Sequence, residues 1–278
     1  MLTVSELQSV LKIHGLRLTK RLGQNHLIDY GVVTRFIDRC RFLPEEIVVE
    51  IGAGLGALTE PLADRVSRVW AVEVEQSFAA LLTARLAHRP NVTVVCQDIL
   101  ELSWDRFRDI TVVGAIPYHI TSPILVALND ARHTIRRAIL IMQHEVAQRL
   151  LAAPGTKAYG RLSLLAQYGW DLVALMELPR HAFFPQPAVD SCALHMTPRA
   201  QPLVAVEDEQ VLFDVVKAAF AHRRKTLVNC LVHEGIAGLS RVPAEAMLQR
   251  LGLATTIRGE QLTLDQFAAL ANALRHPS

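Results

Sequence analysis

Four short stretches of the chain hold side chains suited to gripping a nucleoside, and each adjoins an apolar run. In Glu50-Ile51-Gly52-Ala53-Gly54-Leu55-Gly56 the glycines allow a tight turn and a close approach of backbone to a ligand. Glu73 ends the next apolar run, 21 positions after Gly52. A carboxylate there can accept hydrogen bonds from both hydroxyls of a ribose. Asp98, in Cys96-Gln97-Asp98-Ile99-Leu100, can accept from the exocyclic amine of an adenine. Glu50 lies inside an apolar run, and a buried carboxylate needs a partner, which an ammonium group would supply. Hydroxyls, amine and ammonium together describe S-adenosylmethionine, a ligand without a pyrophosphate. The spacing of Gly52, Gly54 and Ala57 also satisfies a dinucleotide pattern, so the glycines alone leave an NAD-type ligand open.

The fourth stretch is Val113-Gly114-Ala115-Ile116-Pro117-Tyr118-His119-Ile120-Thr121-Ser122-Pro123. Pro117 fixes its own φ and pushes Ile116 towards an extended conformation. Tyr118 is thereby expected at the carboxyl end of a strand, where open α/β sheets bind their ligands. A flat ring and exposed carbonyls on a stiff turn suit a planar base. An ordinary strand-to-helix loop with a packing tyrosine is the other reading of these residues.

Alternating patterns position these stretches. Strands are expected at 47–51, 69–74, 92–96, 110–113 and 138–142, with helices at 57–65, 76–87, 121–128 and 143–152 between or after them. Such alternation means parallel strands with crossover helices, an α/β, Rossmann-like doubly wound sheet. A helix at 161–168 and strands at 170–176 and 189–196 follow. Asp29 can cap the helix after the Gly23–Asn25 loop. From about residue 207 only helical patterns remain. The expected division is 1–198 for the sheet domain with its amino-terminal arm, and 199–278 for a small helical domain.

Charge is balanced overall, at +2, so the chain is no global polycation. Residues 1–41 nevertheless hold seven Lys/Arg against three acids. Arg132, His133, Arg136 and Arg137 form a second basic cluster, and Arg223, Arg224 and Lys225 a third. Local basic faces of this kind can bind RNA phosphates, and solvated surface is their ordinary alternative. The four cysteines are far apart with no Cys-x-x-Cys, which indicates neither disulfides nor a zinc site and suits a reducing cytoplasm. No signal pattern and no apolar run of membrane length is present, so no membrane association is expected.

Five ordered blocks carry a resemblance to the ribosomal RNA adenine N6-dimethyltransferase family, nearest to its small-subunit members. Gly23-Gln24-Asn25 with Leu27 resembles the family's amino-terminal cofactor motif, and Glu50–Thr59 its glycine loop. Gln143–Leu150 followed by Gly155–Ser163 resembles its central block. Phe184–Ser191 and Phe220–Leu227 resemble its later signatures. The resemblance implies a methyltransferase sheet, S-adenosylmethionine held by Asn25, Leu27, Glu50, Gly52, Gly54, Glu73, Asp98 and Ala115, and no metal. It implies a catalytic turn of Ala115, Pro117 and Tyr118, with Tyr118 stacking on an adenine splayed out of its RNA fold. Arg132, Arg136, Arg137, Arg223, Arg224 and Lys225 become RNA contacts, and immature small ribosomal subunits, met by a monomer, the substrate. Two positions depart from the pattern. The family usually has Phe where His26 stands. Its catalytic turn reads Asn-Leu/Ile-Pro-Tyr, and here the Asn position is Ala115, so either weak methylation or a non-catalytic assembly role is implied. The related large-subunit enzymes share the fold and turn, but the Gly155–Ser163 and Arg223–Thr226 blocks resemble the small-subunit members.

Overall fold

Each expected strand is a short apolar run bounded by turn residues, and in the computed structural model these runs pair into one sheet. The structure describes residues 1–18, 25–116, 120–222 and 224–276. Helix α1 (Val4–Ile13) opens the chain with Thr3 and Glu6 forming a reciprocal cap. Strand β1 (His26–Leu27) leads into α2 (Tyr30–Cys40), and Asp29 caps α2 as its position suggested, accepting from Val32 N at 2.9 Å. Then follow β2 (Ile47–Ile51), α3 (Thr59–Ala63), β3 (Arg68–Glu73), α4 (Gln76–Arg85), β4 (Val92–Cys96), β5 (Ile110–Ala115), α5 (Thr121–Asp130), β6 (Ile135–Gln143) and α6 (His144–Leu150). Next come α7 (Arg161–Gly169), β7 (Trp170–Leu178), β8 (Phe183–Phe184) and β9 (Ser191–Pro198). The chain closes with α8 (Glu209–Ala221), α9 (Leu227–His233), α10 (Arg241–Arg250) and α11 (Leu264–Arg275).

The main sheet has the order β4-β3-β2-β5-β6-β9-β7. The five strands from β4 to β6 are mutually parallel, and β9 joins β6 antiparallel. The order reverses at β2, whose neighbours are β3 and β5, so a crevice opens beyond the carboxyl ends of these strands. The fold is thus the expected α/β, Rossmann-like sheet. Its helix after the glycine turn is shorter than the pattern suggested, because residues 52–58 are spent on the turn itself. Sequence patterning missed the small β1–β8 pair, in which His26 faces Phe184 and Leu27 faces Phe183. Two-residue strands 157 positions apart leave no periodic signal.

Two compact units emerge, Met1–Ala147 with Asp171–Pro198, and Gln148–Trp170 with Arg199–Ser278. The sequence reading placed 148–170 in the sheet domain; the structure instead groups α7 with the later helices. Leu164 and Tyr168 of α7 share a core with Leu212, Val216, Leu231, Leu248 and Phe267. The Tyr159 hydroxyl donates to Leu262 O at 2.9 Å within that unit. The sheet unit has its own core, built from α2, α3 and the inner faces of β2, β3, β5 and β6.

Candidate active site

The site follows from three backbone ties at the ends of adjacent strands. Gly52 N and Ala53 N both donate to Val72 O, at 2.9 and 3.1 Å, which pins the glycine turn to the end of β3. Gln97 N donates to Glu73 O at 3.1 Å, which pins the loop after β4 to the same place. Register places Ile51 beside Gly114, so Gly52 and Ala115 emerge together from β2 and β5. Gly52 and Gly54 take the left-handed φ values of +69° and +54°, which side chains rarely adopt.

These ties enclose a cavity of about 230 Å³. Asn25, Gly52, Gly54, Glu73, Asp98 and Ala115 line it, so six of the eight expected cofactor residues are brought together. Ile51, Val72, Val74, Phe78 and Ile99 give it apolar walls. The charged residues among its described lining are Glu73, Glu75 and Asp98, all acidic.

Glu73 is buried, with 6% of its surface exposed. Its Oε2 accepts from Gly54 N at 2.8 Å and its Oε1 from Glu75 N at 3.0 Å. Burial pushes its pKa up, while these backbone donors hold it down. Asp98 accepts from Leu100 N at 2.9 Å through Oδ1, which fixes the carboxylate at the cavity rim. Each carboxylate oxygen carries two lone pairs, so both acids keep acceptor capacity for a ligand.

Two expected cofactor residues lie elsewhere. Leu27 is buried in the sheet unit's core, with its backbone paired to Phe183, and is not part of the cavity lining. Glu50 is 2% exposed and is not part of the cavity lining. Its Oε2 accepts from the Thr59 hydroxyl at 2.6 Å, tying β2 to the start of α3. Burial, added to by the charge of Glu73, pushes the Glu50 pKa up to about 8. Because Glu50 stands outside the cavity lining and holds Thr59, the structure gives it a positioning role in place of the expected ammonium contact. His26 does line the cavity, a residue singled out in the sequence only as a departure. The side chain is half-buried, yet its Nε2 is fully enclosed and without a hydrogen-bond partner. Burial, with the charge of Arg85, pushes its pKa down to about 4, so the ring is neutral at ordinary pH.

Pro117, Tyr118 and Arg223 lie outside the described residues. Arg132, Arg136 and Arg137 precede or begin β6, at the opposite end of the sheet from the cavity. Arg137 pairs with Thr111, four residues before Ala115, or about 13 Å along the strand. Its guanidinium donates to both oxygens of Glu46, at 2.8 and 3.0 Å, and to Cys40 O at 2.7 Å. Glu46 is 4% exposed, so this is an internal ion pair, and Arg137 is corrected from RNA contact to structural residue. Arg136 points outward and pairs with Asp109, donating from Nε at 3.0 Å. Arg132 donates to Asn129 O at 2.9 Å, capping α5. Arg224 and Lys225, in the second unit, are exposed.

Known proteins resemble the chain along its whole length. The family model described as ribosomal RNA adenine dimethylase matches residues 15–275. A ribosomal RNA small subunit methyltransferase A from Geobacillus sp. (strain WCH70) is 40% identical over 283 residues, covering 99% of this chain and 97% of the relative. The protein of that name from Bacillus cytotoxicus is 39% identical, covering 98% and 96%. Among solved structures, the 23S rRNA methyltransferase ErmE is 28% identical with a TM-score of 0.65, covering 91% of this chain and all of that one. A dimethyladenosine transferase from Plasmodium falciparum has a TM-score of 0.75 at 22% identity, over 88% and 95%. A sheet that opens at its switch point on a glycine turn and two aimed acids agrees with these likenesses, and the chain belongs to the ribosomal RNA adenine dimethylase family.

Proposed function

We propose that the chain transfers methyl groups from S-adenosylmethionine to the N6 amine of adenosines in small-subunit ribosomal RNA. In this reading it acts as a monomer on immature small subunits in the cytoplasm. The observation that carries the reading is the acidic, apolar-walled cavity at the switch point of a chain in this family. Relatives about 40% identical over nearly their full length are named for the small-subunit activity, against 28% for the large-subunit enzyme. Among the described residues no helix is long and apolar enough to cross a membrane.

The residues present fit the cofactor. Apolar walls from Ile51, Val72 and Ile99 suit a flat base and ribose. Glu73 and Asp98 offer acceptors for hydroxyls and an exocyclic amine. The acidic lining favours a cationic sulfonium ligand and disfavours a pyrophosphate, which separates this cofactor from NAD. When bound, S-adenosylmethionine supplies an already activated methyl group.

The protein's part is positioning. An adenine N6 amine is a weak nucleophile because its lone pair is delocalised into the ring. Acceptors facing its N–H groups localise that pair. Ala115 lines the cavity, and its carbonyl lies 3.8 Å from where a Gly52 side chain would begin. Ala115 thus offers a backbone acceptor, but no side-chain amide. Tyr118, by resemblance, stacks on the base. Arg224 and Lys225 are exposed cations suited to phosphates, which position RNA without reading its sequence. Losing one aimed polar group costs about 10²–10³ in rate, so the reading includes slow turnover. A second reading, an assembly factor that binds without methylating, is favoured by that same alanine.

Calorimetry with S-adenosylmethionine and with NAD tests the cofactor assignment. The sulfonium ligand should bind and NAD should not. Tighter binding of NAD would overturn the reading.

A further inference from the structure

Outside the cavity, the described residues hold one cluster of convergent ligand atoms that the proposed methyl transfer does not use. His222 follows α8, His233 ends α9, and Glu234 follows α9. His222 Nε2 lies 3.2 Å from His233 Nδ1 and 3.3 Å from Glu234 Oε1. His233 Nδ1 lies 3.1 Å from the same Glu234 oxygen. With a hydrogen on a ring nitrogen these contacts are hydrogen bonds; with none, three lone pairs converge where a cation can replace the proton.

The triangle has the dimensions of a transition-metal site. Zinc bonds of about 2.0–2.1 Å at the tetrahedral angle place neighbouring ligand atoms about 3.3 Å apart. The three observed edges lie within a few tenths of an ångström of that value. Two imidazole nitrogens and one carboxylate oxygen are ordinary zinc ligands, whereas Mg²⁺ and Ca²⁺ prefer oxygen. The electrostatics agree, because α8 and α9 both end here and helix carboxyl ends carry partial negative charge. The imidazole rings stand nearly perpendicular, at 82°, with centroids 4.5 Å apart. Side-chain exposures of 35%, 55% and 33% leave a fourth position open to water.

We infer that His222, His233 and Glu234 form a binding site for a divalent transition-metal ion of the zinc type. The ion would clamp the end of α8 to the end of α9. The segment so bracketed includes Arg224 and Lys225, beside which the ion adds positive charge. The cysteine spacing pointed away from zinc; these ligands include histidines eleven positions apart at the ends of two helices, which cysteine arithmetic does not detect.

The test uses the full-length chain, stripped with a chelator and titrated with Zn²⁺ against a competing chromogenic chelator. One equivalent should bind. His222→Ala and His233→Ala should each weaken binding at least tenfold, and excess Mg²⁺ should not compete. Co²⁺ in the same site should give the intense visible absorption of four-coordinate cobalt. Imidazole NMR signals of the unmodified chain provide a readout that needs no variant: Zn²⁺ should shift His222 and His233 before any other histidine. Binding that survives the double substitution, or first shifts at other histidines, would overturn the site.

Discussion

Glu73 Oε2 accepts a 2.8 Å hydrogen bond from the backbone N–H of Gly54, so the acid proposed to hold the ribose also holds the glycine turn in place. One substitution should therefore disturb both. Glu73→Ala is expected to weaken S-adenosylmethionine binding by about 1.5–3 kcal/mol, the scale of a lost hydrogen bond to a charged group. Calorimetry reads this directly. Because burial raises the Glu73 pKa, binding should also weaken as pH falls through that raised value, earlier than for an ordinary carboxylate. Unchanged affinity in Glu73→Ala would remove the ribose role.

Glu50 gives a stability prediction with a definite sign. Its folded pKa, about 8, lies above the usual 4.5. Below pH 4.5 both folded and unfolded chains hold the proton, and no penalty exists. As pH rises from 4.5 towards 8 the unfolded chain ionises and the folded one does not, so stability falls, by at most about 1.4 kcal/mol per pH unit. Glu50→Gln keeps an acceptor for Thr59 without the charge. Denaturation at several pH values should show the variant gaining on the parent between pH 4.5 and 8. Its cofactor affinity should stay near the parent's; a loss above tenfold would return Glu50 to the ammonium.

Neighbouring arginines should behave differently. Arg137→Ala leaves Glu46 buried without its cation and should cost about 3–5 kcal/mol in chemical denaturation. Arg136→Ala breaks a solvent-exposed pair with Asp109 and should leave the denaturation midpoint nearly unchanged. Equal costs would contradict the internal ion pair.

RNA contact is expected from the second unit. Replacing Arg224 and Lys225 together by Ala should lower the salt dependence of RNA binding, by roughly 0.7–0.9 in slope per lost phosphate contact. Cofactor affinity should be unaffected. An unaltered slope would make these residues solvated surface.

The contrast between Arg136 and Arg137 shows what sequence can and cannot carry. Arg136 is the extra residue where the β5–β6 register shifts and reaches Asp109 outside, while Arg137, paired with Thr111, reaches Glu46 inside. Sequence adjacency made them look like one patch. Glu73, Asp98 and the glycines were legible as cavity-lining residues because Glu73 ends β3 and the others follow β2 and β4 within three residues, at the same end of the sheet. Glu50 was not, because its partner Thr59 comes back to it only once α3 has folded. His26 stood out only as a departure from a family pattern; the enclosure of its Nε2 is a tertiary property that the sequence does not carry. The assignment of α7 depended on Leu164 and Tyr168 finding a core more than forty residues downstream. No local pattern encodes that choice.

By the resemblance, Ala115 stands where the family's catalytic turn carries Asn. Restoring a side-chain amide with Ala115→Asn should raise single-turnover methylation by about 10²–10³, while cofactor binding changes little. Equal rates would show that the backbone carbonyl suffices.

Mass mapping of ribosomal RNA tests the central claim most directly, after immature small subunits are incubated with the chain and methyl-labelled S-adenosylmethionine. The account predicts label on adenine N6 of the small-subunit RNA, at a low level that Ala115→Asn raises. Absence of N6 label with both chains, or label confined to large-subunit RNA, would contradict it.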